Sequence, residues 1–236
     1  MYTEIFRQGT LNMSLTPVPE TAAPIPWQDL NVNKILVLVC IVLVLSVLKD
    51  FISLFPQLLD GLDRPKGNST LEHSVGMSRS RNIIASVMIL PFCLIIDRFA
   101  IIRPKFWSLI PAEWSVAATV GLLLSFLIVR GIFFNIFRPR RLSSESSDTV
   151  HHCLYNVFIL LSVLMMASAG IVSIFHISGG AARSIIYIET GLFYFISLVR
   201  TGQILRTRCS GLSTFLYLCT LEMLPASILG LCILFL

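Results

Sequence analysis

Charge is scarce in this 236-residue chain: Asp, Glu, Lys and Arg make up 13% of it. Soluble domains carry about 25%. With so few solvated groups, the chain cannot be a cytosolic enzyme or a disordered regulator. Cysteine is also sparse, and Cys40, Cys93, Cys153, Cys209, Cys219 and Cys232 show no paired spacing of the metal-binding kind. Most sit inside apolar runs, so a secreted disulfide scaffold is excluded, and they read as small packing residues. Histidine occurs four times. His151 and His152 lie a full membrane thickness from His176, so no metal or haem can use both ends, and no cofactor is expected. The chain has no H-E-x-x-H motif for zinc and no phosphate-cradling G-x-x-x-x-G-K-[ST] loop. An intramembrane serine protease would need a histidine on a neighbouring helix within reach of Ser213, but none follows His176 and Ser213 sits at the membrane edge. Enzymatic activity is therefore not the expectation.

What is present is apolar surface: 55% of residues are hydrophobic and the mean hydropathy is +0.82. We read an all-α, polytopic membrane protein, a bundle of six transmembrane helices spanning 33–55, 83–102, 114–137, 153–176, 181–200 and 212–236. Residues 1–32 read as a flexible polar tail without the features of a signal peptide. It is expected to become ordered at Trp27, which suits a membrane-interface anchor. The uncharged core of the first span, Ile35 to Leu48, is short against the ~20 residues a span needs, and Lys34 and Lys49 extend it by snorkelling. The fourth is the cleanest, with no charged residue between Asp148 and Arg183. The outer turn from Arg103 to Trp114 carries Phe106, Trp107 and Trp114, the aromatic chemistry of a headgroup boundary. The connector 56–82 is expected to be polar and turn-rich.

The formal net charge of +5 is explained by orientation rather than by nucleic acid. Lys49, Arg64, Lys66, Arg79, Arg81, Arg130, Arg138, Arg140, Arg141, Arg200, Arg206 and Arg208 lie on or near the loops 56–82, 138–152 and 201–211. These twelve outnumber the six on the other side. Basic loops stay in the cytoplasm, which predicts that both termini are periplasmic. Arg98, Arg103 and Lys105 run against that bias.

An ionisable group in the hydrocarbon core costs at least ~2.5–3.5 kcal/mol, so each needs an account. Asp97 adjoins Arg98, and the simplest reading is an interfacial charge pair. Glu222 lies about 15 Å into the last span at a rise of ~1.5 Å per residue. Three residues on, Pro225 lacks an amide hydrogen, so the Leu221 carbonyl loses its helical donor. A carboxylate beside a freed carbonyl reads as a cation or proton site, as in the broken helices of transporters. Equally, it reads as a structural carboxyl beside a kink. Glu189, about 16 Å before Arg200, sits at a similar depth on the preceding span. Two carboxyls in one dry site cannot both hold a charge cheaply, which makes a proton carrier one reading. Neutralisation by Arg130 or Arg200 in a helix-locking clamp is the other. Tyr187, Tyr194 and Tyr217 share these spans and can bond the carboxyls or simply pack. Ala117, Gly121 and Ser125 recur every fourth position of span three and favour close helix packing.

The run Phe215 to Pro225, F-L-Y-L-C-T-L-E-M-L-P, resembles the final helix of an uncharacterised family of Bacteroidota integral membrane proteins. That helix carries a Tyr-x-Cys-x-x-Glu-x-x-Pro pattern, matched here by Tyr217, Cys219, Glu222 and Pro225. The resemblance implies a bacterial inner-membrane location and no activity. Two functions follow from the residues. One is a small-solute or ion transporter with Glu222, helped by Glu189, binding a proton or cation. The other is a scaffold or assembly factor for an envelope complex, in which Glu222 serves helix association. The expected partner is the lipid bilayer, with a homo-oligomer or an envelope complex as the further expectation.

Overall fold

A computed structural model describes residues 27–63, 75–102, 107, 110–136, 144–206 and 211–235. The described residues are helical, without a strand. In chain order the helices are α1 (Asn31–Asp63), α2 (Val75–Arg98), α3 (Ser115–Ile136), α4 (Ser144–Ile174), α5 (Gly179–Arg206), α6 (Gly211–Leu218) and α7 (Leu224–Phe235). A short 3-10 turn, Ala112–Trp114, leads into α3. A π-helical turn, Cys219–Met223, joins α6 to α7. Five helices, α1 to α5, are long and apolar enough to cross a membrane. From Gly211 to Phe235 the chain stays helical but is broken into three pieces, so the sixth predicted span has no single long helix.

Several boundaries differ from the expectation, most of them for one reason. Apolar content marks the part of a helix that lies in lipid, whereas the helix itself continues into water. Thus α1 runs on through Pro56 to Asp63, α2 begins at Val75, α4 begins at Ser144, and α5 reaches Arg206. The connector 56–82 is therefore largely helix, and only 64–74 lie outside the described residues. At the other end α2 stops at Arg98, short of the predicted 102. Ala100 adopts a left-handed φ of 49°, and the Ile101 amide bonds the Ile96 carbonyl, the closing pattern of a helix C-terminus. His176, at φ 50°, ends α4 the same way, with Ile177 N–H on the Val172 carbonyl. The tail 1–26, and Arg103, Pro104, Lys105 and Phe106 of the aromatic turn before α3, lie outside the described residues. Of that turn's tryptophans, Trp107 is buried and Trp114 exposed.

The bundle is built around α2, which packs on α1, α3 and α4. It is the least hydropathic of the first four helices yet buries most of its span, whereas α1, the most apolar, faces outward along nearly all of its length. Lipid demands apolar side chains; protein neighbours do not. From Pro91 to Asp97 every residue of α2 is buried. One core cluster joins Leu54 and Leu58 of α1 to Ile84 and Met88 of α2 and Ile159 of α4. A second joins Phe92, Cys93 and Ile96 of α2 to Met165 of α4 and Ile186 of α5. A third sets Cys40 of α1 and Val116 of α3 against Leu94 of α2. Cys40, Cys93 and Cys153 are all buried. The final helical segment packs instead on α5 through α6, and on α3 through the π turn and α7. None of its described residues belongs to the three clusters.

Candidate functional site

The π turn follows from the local sequence. Pro225 brings no amide to the ladder, and the Leu224 amide reaches back five residues to the Cys219 carbonyl. The break expected at the Leu221 carbonyl is thus spread over Cys219–Met223. One extra residue in the turn offsets the two half-helices by roughly 100° about the axis. Such bulges are frequent at functional sites.

Glu222 lies inside this turn and is buried, at 7% exposure. Three elements converge on it. Arg130 of α3, 18% exposed, forms an ion pair with its carboxylate through Nη2 and Oε1. From α5, the Tyr194 hydroxyl donates to the Glu222 backbone carbonyl at 3.1 Å. Pro225, one turn on, is buried. Removing one partner of a buried ion pair costs about 3–5 kcal/mol, because the other charge is stranded. Arg130 and Glu222 therefore clamp the broken helix to α3. Tyr217 takes no part in the clamp: it is half-buried, and its carbonyl accepts from the Thr220 hydroxyl at 3.3 Å.

Glu189 does not join this pair. Its Oε1 accepts from the Ser168 hydroxyl of α4, and its Oε2 is buried without a hydrogen-bond partner among the described residues. Arg200, expected as an alternative neutraliser, donates to Gln203 on its own helix at 3.0 Å. Tyr187, toward the N-terminal end of α5, donates to the Ile101 carbonyl at 2.6 Å.

Asp97 and Arg98 do not form the expected interfacial pair. Adjacent helical residues point about 100° apart, and each finds a different neighbour. Asp97 is buried, at 3% exposure. It accepts from the Trp27 indole at 2.6 Å, from Ser115 and, more distantly, from Thr119 at 3.5 Å. Asn33 supports this cluster by donating to the Trp27 carbonyl at 3.0 Å. Arg98 donates to Ser173 of α4 at 2.9 Å and lies 5.5 Å from the centre of the Phe99 ring. Trp27 is thus an anchor, but to protein: it ties the start of α1 to α2.

Sequence reasoning missed Ser168, Ser115 and Thr119. Hydroxyls are common in membrane helices and carry no signature of their own. The one available signal was the four-residue spacing of Ser115 and Thr119, which puts both on one helical face beside an acid that needs donors. Among the described residues no group of three or more His, Cys, Asp and Glu side chains is placed to hold a metal.

No protein-family model, no curated protein and no solved structure matches the chain.

Proposed function

We propose that this chain is a transporter-like protein of a bacterial inner membrane that couples a small solute or an ion to proton movement. The observation that carries the reading is the Arg130–Glu222 ion pair seated on a π-broken helix. A proton arriving at Glu222 removes the charge that holds Arg130. The clamp opens, and the half-helices are released to move against α3 and α5. Broken helices with polar groups at mid-membrane are the usual substrate sites of secondary transporters. In this reading Gly211–Phe235 counts as the sixth span, roughly 35 Å of helix at ~1.5 Å per residue. The termini are then periplasmic, as the excess of Arg and Lys on the other side supports. The likeness of the last helix to the Bacteroidota family agrees with a bacterial membrane.

The test is solute uptake by proteoliposomes holding a trapped pH-sensitive dye. They are challenged under an imposed pH gradient with a panel of monovalent cations and small charged metabolites. Coupled proton flux with at least one solute is expected, and Glu222→Gln should fold and abolish it. Wild-type flux in that variant, or none with any solute, removes the reading.

A second reading, a scaffold or assembly factor, is favoured by one observation. Ala117, Gly121 and Ser125 of α3 all face outward, and a Cβ added at Gly121 would meet nothing within 4 Å. Such a face admits close approach by another helix. Pull-down in mild detergent from native membranes separates the two: a stoichiometric partner favours the scaffold, and its absence favours the transporter.

A further inference from the structure

The three intramembrane acids stand in three electrostatic situations. Asp97 is enclosed by neutral donors, the Trp27 indole and the Ser115 and Thr119 hydroxyls. Glu222 is matched by a guanidinium. Glu189 is half-buried; among the described residues it has a single neutral partner, the Ser168 hydroxyl, no basic group in an ion pair with it, and a second oxygen, itself buried, with no hydrogen-bond partner. An uncompensated carboxylate in such surroundings is costly by several kcal/mol. A carboxyl that holds a proton escapes most of that cost.

We propose that Glu189 is the residue on which the exchangeable proton rests, with Ser168 holding Oε1 and leaving Oε2 to take up and release it. This deepens the proton-coupled reading and rests on it for the use of the proton, though not for its place. A metal cation fits poorly: Ca²⁺ takes 6–8 oxygen ligands and Mg²⁺ an octahedral set, whereas one carboxyl and one hydroxyl meet here. A proton needs a single oxygen.

The other titratable groups on the elements packed around Glu189 are engaged or distant. On α5 itself, Arg183 and Tyr187 donate to the Phe99 and Ile101 carbonyls, and Tyr194 to that of Glu222. His152 on α4 and His176, just past its end, stand at least two helical turns from Ser168, and Arg98 of α2 donates to Ser173. From the final segment, Glu222 is held by Arg130. Carboxyls in unlike environments take unlike roles. In this division Glu189 stores the proton, and the Arg130–Glu222 clamp responds to it.

The experiment uses the full-length protein in lipid vesicles and dicyclohexylcarbodiimide, a lipid-soluble reagent that adds to protonated carboxyls and leaves ionised ones alone. The carboxyl adds across one C=N bond and the acyl group then migrates to nitrogen, so the stable adduct carries the whole reagent. Peptide mass mapping is expected to find it at Glu189, with labelling that declines as pH is raised. Glu189→Gln should lose it. Glu222 should be unmodified in the native protein and become modified in Arg130→Gln, where its charge partner is gone. An unmodified Glu189 at every pH, or an adduct at Glu222 in its place, overturns the proposal. Labelling of Glu189 without proton-coupled flux would remove the transport reading and leave this one. Flux with Glu189 unmodified would do the reverse.

Discussion

Trp27 and Asp97, 70 positions apart, meet through an indole-to-carboxylate hydrogen bond of 2.6 Å. That contact ties the turn preceding α1 to the buried end of α2, where α3 also begins and contributes Ser115. A buried acceptor that loses one donor costs about 1–3 kcal/mol. Trp27→Phe keeps an aromatic ring but gives up part of the indole's area as well as the N–H, so it should destabilise the protein by at least that amount. Asp97→Leu should cost more than Asp97→Asn, because Asn retains an acceptor oxygen for Ser115. Thermal denaturation in detergent, followed by loss of the monodisperse chromatographic peak, measures all three. Equal stability of Trp27→Phe and wild type would show that the indole bond contributes nothing.

The clamp makes its own prediction. Arg130→Met and Glu222→Leu should each strand a buried charge and cost about 3–5 kcal/mol, while the double variant should lose much less than the sum. A double-mutant cycle of unfolding free energies in mixed micelles reads the coupling. Additive losses would mean that the two groups do not interact in the membrane.

Tyr194 and Tyr217 offer an internal contrast. Tyr194→Phe removes the donor to the Glu222 carbonyl and should cost about 0.5–1.5 kcal/mol. Tyr217→Phe should change stability by less than about 0.5 kcal/mol, as a substitution away from any such feature does. The same micelle unfolding assay compares them, and the reverse order would misplace the support of the π turn.

Two helix ends are closed by residues other than glycine. Ala100 at φ 49° and His176 at φ 50° occupy the left-handed region, which costs an L-residue roughly 1–2 kcal/mol. Ala100→Gly and His176→Gly should therefore raise thermal stability, by about 1 kcal/mol each. Ala85→Gly, inside α2, should lower it by about 0.5–1 kcal/mol. Unchanged or lower stability in both terminal variants would argue against the left-handed ends.

How much of this was legible in the residues differs from feature to feature. The first five apolar runs could be located because lipid-facing surface leaves a compositional mark. The C-terminal ends of α1 and α5 and the N-terminal ends of α2 and α4 were misplaced, because those turns carry polar residues that look like loop. Glu222 stood out against an apolar background, and Pro225 announced a break. The form of that break, a π turn over Cys219–Met223, depends on which amide finds which carbonyl. Asp97 and Arg98 suggested a pair by adjacency alone, and helix geometry sends neighbours to different faces. Glu189 was set beside Glu222 by depth, but depth does not fix rotation about the helix axis, and the side chain turns to Ser168.

The scarcity of charge in the sequence determined an all-helical membrane protein and picked out the few ionisable groups that must be accommodated. Backbone groups in lipid can be satisfied only within helices or closed barrels, and long uninterrupted apolar runs admit only the first. Only the tertiary structure decided that Arg130 neutralises Glu222, that Trp27 and Ser115 satisfy Asp97, and that Glu189 is left with one hydroxyl. Those outcomes depend on the rotation and offset of each helix against its neighbours, which are set by the packing around α2.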